Sequence, residues 1–180
     1  ALYDQFVLLA SSSPAVGIGE VGLDNYYIRD VPQMAAQEAR FKRAITIAKA
    51  RDLPLVIHSR SAGKKALELL RLEGAEKVLM HAFDGKAGDA MNATKNGYFF
   101  SIPTSVVHSE QKRKLARRLP LESMMLETDS PVLAPVRGEV NEPANLIQSA
   151  EAISIIKHVS IQEVIKVTSS NASRFFKLEK

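Results

Sequence analysis

Residues 53–81 read LPLVIHSRSAGKKALELLRLEGAEKVLMH. Two short apolar runs, 53–57 and 78–80, bracket a segment with helical spacing at about 62–72 that stops near Gly74. A strand, a helix and a second strand in that order make a parallel pair joined by a crossover helix. Pro54 fits the first residues of a strand, where a missing N–H is tolerated. Each run ends on a histidine, His58 and His81.

The same alternation continues on both sides. Upstream, the apolar run 15–19 ends at Glu20, and a helix is expected at about 33–51, with Met34, Phe41, Ile45 and Ala48 on one face. Downstream, a weaker helix at about 87–96 closes at Gly97, and 98–102 reads as a fourth strand ended by Pro103. A basic helix is expected at about 109–119. A fifth strand starts at 123–126 and carries Glu127 and Asp129. A loop at 131–143 and helices at about 144–157 and 161–176 complete the chain. The strands are nearly uniformly apolar, as in parallel sheets covered on both faces. The fold class is α/β, either an open doubly wound sheet or a (β/α) barrel.

Composition narrows the function classes. The chain has 180 residues, 46% hydrophobic and 24% charged, with no cysteine. Disorder, collagen-like and disulfide-framework readings are excluded. No apolar run approaches the roughly 20 residues of a membrane-spanning helix, and no membrane partner is expected. The formal charge of +4 mildly favours an anionic partner. The apolar stretch 6–10 is too short for a secretory signal and follows no basic stretch, so an intracellular location, cytoplasmic or nuclear, is expected. No GxGxxG or GxxxxGK[ST] follows a strand, so nucleotide cradling of those kinds has no support.

The chemistry collects at strand ends. Glu20, His58, His81 and Asp129 each close a different apolar run. In parallel α/β folds those positions converge on the functional face. Two imidazoles and two carboxylates on one rim suit a divalent cation. Taken singly, each has a plainer reading: a hydrogen-bonded structural histidine, or an acid capping the next helix. Glu127 and Asp129, two apart, would share one face of an extended strand. Arg60 offers a guanidinium to an anionic substrate group or a loop salt bridge. Asp24 either orients a ligand from behind or starts a turn with Asn25.

With these residues in view, the chain resembles the TatD family of metal-dependent deoxyribonucleases. The matching blocks are GEVGLD at 19–24, VIHSR at 56–60, HAFDG at 81–85, LETDSP at 126–131, NEP at 141–143 and NA at 171–172. The blocks at 58–63 and 81–85 look closest to one eukaryotic subgroup. The resemblance implies a TIM-type barrel of the amidohydrolase-like superfamily with a two-metal centre that cuts phosphodiester bonds in DNA. It implies that Glu20 bridges the metals, and that His58 and His81 bind the second. Asp129 would bind the first metal and orient or deprotonate the attacking water, which makes Asp129 and Glu20 the catalytic residues. Mg²⁺ is the expected ion, with Mn²⁺ or Zn²⁺ acceptable to a site containing imidazoles.

One departure stands out. The family opens with an HxH pair that holds the first metal, and this chain has histidine only at 58, 81, 108 and 158. Five strands are counted where a barrel needs eight, and such barrels typically take ~250 residues. The expectation is one hydrolase domain over 1–180 lacking three N-terminal strand units, with one metal retained and nuclease activity impaired. Its two open edges invite aggregation or pairing with a second copy. A catalytically inactive truncated chain with an interaction role is the alternative. A related amidohydrolase acting on C–N or ester bonds fits less well, because no lysine ends a strand.

The remaining features take plain readings. The basic run 112–118 is read as a solvated helix face, with Leu115 and Leu119 toward the core. His108 and His158 are read as surface residues. Arg137 is a weaker candidate for substrate contact, and Val164, Val167, Phe175 and Phe176 are read as core packing.

Overall fold

The computed structural model describes residues 2–12 and 14–178, with side chains described at 5–10 and 14–178. Five short strands form one sheet in sequence order: β1 (Ile18–Gly22), β2 (Leu55–His58), β3 (Val78–Met80), β4 (Phe99–Ile102) and β5 (Met124–Leu126). Every neighbouring pair is parallel. The crossovers are α2 (Val31–Ala50), α3 (Gly63–Leu72), α4 (Ala87–Thr94) and α5 (Glu110–Arg118). A doubly wound sheet reverses its strand order at a switch point. Here each strand lies beside its predecessor, as in the wall of a barrel, with β1 and β5 as the edges. After β5 come α6 (Leu146–Lys157) and α7 (Ile161–Phe176), which pack on each other, and α7 lies against β5.

The core sits between sheet and helices. In β2, Leu55 and Ile57 are buried while Val56 and His58 are half-buried, the two-residue alternation of a strand. Phe41 and Ile45 of α2, Leu70 of α3 and Leu115 of α5 complete that layer, each at most 1% exposed. Helix starts are fixed locally. The side chains of Asp30, Ser109 and Ser160 accept from the backbone N–H three residues on, at α2, α5 and α7. Asn171 is buried in α7, and its Nδ2 donates to the carbonyls of Leu121 and Met124, which ties that helix to the start of β5. Its place in the NA block is therefore structural.

The structure departs from the sequence expectations at five places. Helix α1 (Leu2–Ser12) was not expected, and its Phe6 and Ala10 pack against the core. β1 runs to Gly22, so Glu20 lies within the strand, because Val21 and Gly22 still pair with Ile57 and His58 across an irregular register. β5 stops at Leu126, and Asp129 adopts a left-handed backbone, φ 59°. Strand alternation therefore does not bring Glu127 and Asp129 together. Lys112 belongs to the buried face of α5 at 7% exposure, although Lys114, Arg117 and Arg118 are exposed as expected. His108 is half-buried and hydrogen-bonded, whereas His158 is exposed at the left-handed C-cap of α6. Among the described residues no helix is long and apolar enough to cross a membrane.

Candidate metal centre

Glu20, at the middle of β1, presents its carboxylate to His58, the last residue of the neighbouring β2, and to His81, the residue just after β3. Oε2 of Glu20 lies 3.5 Å from Nδ1 of His58 and 3.7 Å from Nε2 of His81. Gly22 makes this approach possible: its φ is +147°, and a Cβ there would collide with the carbonyl oxygen of His58. Asp129 enters from beyond β5, with Oδ1 at 3.4 Å from Nε2 of His81. Ligand atoms of Glu20, His81 and Asp129 lie within 4.8 Å of one another, close enough for one cation. His58 stands outside that group of three and meets it through Glu20.

Each imidazole is held from behind. Nε2 of His58 lies 2.9 Å from Oδ2 of Asp24, and Nδ1 of His81 lies 2.6 Å from Oε2 of Glu127. An ionised carboxylate only accepts, so those ring nitrogens carry the protons. The opposite nitrogens, Nδ1 of His58 and Nε2 of His81, are then free to ligate, the usual carboxylate–histidine–metal arrangement. Asp24 also accepts from the N–H groups of Tyr26 and Tyr27, and Glu127 from the N–H of Ala82 and the hydroxyl of Ser101. Asp24 thus both orients a ring and starts a turn.

The charges respond to this crowding. The His58 contact, the largest influence, holds the Glu20 carboxyl below its ordinary range against the opposing effect of burial. Glu20 likewise raises His58, helped by Asp24. For His81 burial alone would favour the neutral ring, but Asp129 and Glu127 outweigh it and push the pKa up to about 10. At Asp24, burial is outweighed by the Tyr27 N–H, His58 and the Tyr26 N–H, leaving its pKa lowered. These groups share protons that a divalent cation would displace. The donor set therefore fits such an ion.

The loops beneath the centre are also tied. Nζ of Lys112 donates to the carbonyls of Ala82 and Phe83 at 2.6 and 2.8 Å, and burial lowers its pKa to about 8. Gln111 donates to the carbonyls of Phe83 and Gly85. Asn141 is 3% exposed, and its Nδ2 donates to Thr104 Oγ1 and to the carbonyls of Thr128 and Val132. That fixes the segment carrying Asp129. His108 meets Ala134 O through Nε2, and its Nδ1 accepts from Nε of the exposed Arg137 at 3.4 Å.

Sequence reasoning missed Lys112 and Ser101. Their signals were present: Lys112 precedes Leu115 by three on the apolar face of α5, and Ser101 is the polar residue inside a buried strand. Arg60 forms no ion pair with a described carboxylate. Its guanidinium carbon lies 4.0 Å over the ring of Tyr26 and 4.9 Å over that of Tyr27.

The chain is similar to several known proteins. The TatD related DNase family matches residues 1–177. The chain is 48% identical over 163 residues to Deoxyribonuclease TATDN3 of Homo sapiens, covering 89% of this chain and 60% of that protein's length. It is 32% identical to the uncharacterized metal-dependent hydrolase YabD of Bacillus subtilis, covering 94% of this chain and 68% of that one. The crystal structure of the TatD homolog YjjV of Escherichia coli superposes with a TM-score of 0.89 at 24% identity, over 98% of this chain and 70% of that one. The fold is that of a TIM-barrel-like TatD protein. The chain belongs to the TatD related DNase family.

Proposed function

We propose that the chain carries the catalytic domain of a metal-dependent hydrolase that cleaves phosphodiester bonds in DNA. One observation carries the reading: two imidazoles from different strands, each oriented by its own carboxylate, aim their remaining nitrogens at one oxygen of Glu20. A purely structural histidine has no need of that convergence. The relatives' names, a deoxyribonuclease and a metal-dependent hydrolase, support the substrate and the reaction class.

Glu20, His81 and Asp129 would hold a divalent cation, with His58 reaching a second position across Glu20. Mg²⁺ is the proposed ion, and Mn²⁺ or Zn²⁺ would be accepted by the imidazoles. When bound, such ions supply Lewis acidity and neutralise charge developing on the phosphate oxygens. Asp129 accepts the proton of the attacking water at its carboxylate. Asp24 and Glu127 keep the two rings in the ligating tautomer. Arg60, whose N–H groups face no carboxylate partner among the described residues, binds a phosphate of the strand. Water adds to phosphorus, and the leaving sugar oxygen departs with a proton, giving a phosphomonoester and a free hydroxyl.

The test is cleavage of labelled single-stranded DNA with Mg²⁺, with EDTA and with His81→Ala. Cleavage should need the metal and should fall to background in the variant. Activity that survives either change contradicts the reading.

A further inference from the structure

Beyond the metal centre, the segment after Asp24 builds a second feature. Tyr26 and Tyr27 are 46% and 72% exposed. Their rings meet edge to face, with centroids 4.9 Å apart at 86°. The Arg60 guanidinium covers both rings from one side. Single exposed aromatic residues are common, but two adjacent rings fixed under a cation are a built surface.

The surface is rigid and joined to the metal centre. The N–H groups of Tyr26 and Tyr27 both donate to Oδ1 of Asp24 at 2.9 Å, while Oδ2 of the same carboxylate faces His58. Asn25 N–H donates to the carbonyl of Arg60, and Nε of Arg29 to that of Tyr26. One carboxylate thus orients a ring of the metal centre and the backbone that displays the tyrosines.

We propose that Tyr26, Tyr27 and Arg60 form a stacking subsite for one unpaired nucleobase of the substrate strand. This rests on the nucleic-acid reading above and adds the form of the substrate to it. Aromatic faces accept any base, and a guanidinium packed on them adds a cation while its N–H groups remain available to the adjoining phosphate. Within a duplex both faces of a base are already stacked. Only a single strand, a frayed end or an extruded nucleotide offers one. The subsite therefore selects unpaired over duplex substrate, with Tyr27 as the principal platform because its ring is the more exposed.

The experiment uses the full chain, Mg²⁺ and two phosphorothioate-linked single strands of equal length, which resist hydrolysis. One carries 2-aminopurine; the other carries abasic residues throughout its central part. Binding is followed by anisotropy, and stacking by quenching of 2-aminopurine. The base-bearing strand should bind more tightly and be quenched. Tyr27→Ala should weaken its binding about tenfold and abolish quenching, leave the abasic strand within about twofold, and Tyr27→Phe should restore both effects. Equal binding of the two strands, or indifference to Tyr27→Ala, overturns the subsite while leaving the nuclease reading intact. Failure of the wild-type chain to bind either strand overturns both. Circular dichroism of the exposed-site variants guards against misfolding.

Discussion

Glu127 stands 2.6 Å from His81, with its carboxylate on Nδ1 of the ring. The same carboxylate accepts from Ala82 N–H and Ser101 Oγ, so three donors from two strand ends and a loop converge on a residue that does not itself face the cation position. It is an acid whose role is to keep another side chain in one tautomer and one orientation.

Glu127→Gln should therefore weaken Mn²⁺ binding by about 10- to 100-fold, the usual cost of losing such a partner. The amide preserves shape but brings its own N–H into the cluster. Isothermal titration of wild type and variant measures the difference. Unchanged affinity would show that His81 is oriented by something else.

Removing Lys112 tests the floor of the same loop. Lys112→Met leaves the buried carbonyls of Ala82 and Phe83 without their ammonium donor. Each orphaned group costs about 1–3 kcal/mol, partly offset because a charge no longer has to be buried. The expected outcome is a net loss of about 1–3 kcal/mol in urea denaturation, together with weaker metal binding. A variant as stable as wild type with full metal affinity would contradict this.

The metal-free protein should lose stability as pH rises. The His81 pKa is about 10 when folded against an ordinary 6.5. Its stabilisation is complete below pH 6.5 and is lost as pH climbs through about 10. Lys112 works in the opposite sense: its folded pKa of about 8 lies below the ordinary 10.5, so its burial penalty is relieved between those values. Melting of EDTA-treated protein should fall between pH 6.5 and 8, where the raised pKa values of His81 and His58 act in the same direction, and His81→Gln should reduce that slope. Metal affinity should rise across the same interval, because the cation has to displace the ring proton and competes better as the proton concentration falls. A flat profile in wild type would contradict the pairing.

Asn141→Ala removes three donated hydrogen bonds from the loop that carries Asp129. The loop 131–143 should exchange its amide hydrogens faster while the sheet stays protected, and cleavage should fall with it. Uniform protection in the variant would show that the loop is held by other contacts.

Much of this architecture was legible from apolar runs alternating with helical spacing. β3 and α7 fall where periodicity places them, because Val78–Met80 and Ile161–Phe176 are bounded by clear turn and cap residues. Three other features were hidden for physical reasons. β1 shifts because Gly22 tolerates a backbone that no other residue adopts there, extending the pairing past Glu20. Asp129 reaches the centre through a left-handed turn rather than strand alternation. Lys112 is hidden by its own chemistry: lysine in a basic run reads as solvated, and only the tertiary fold supplies the carbonyls that draw it inward. The strand-end pattern at Glu20, His58 and His81 was readable because parallel strands deliver their ends to one rim whatever their precise bounds.

The most direct test is an anomalous diffraction map of crystals soaked in Mn²⁺. A peak at coordination distance from Glu20 Oε2, His81 Nε2 and an Asp129 carboxylate oxygen, absent in Glu20→Gln crystals, is the expected result. Manganese bound elsewhere with that cluster vacant, or a peak unchanged by Glu20→Gln, would contradict the proposed centre.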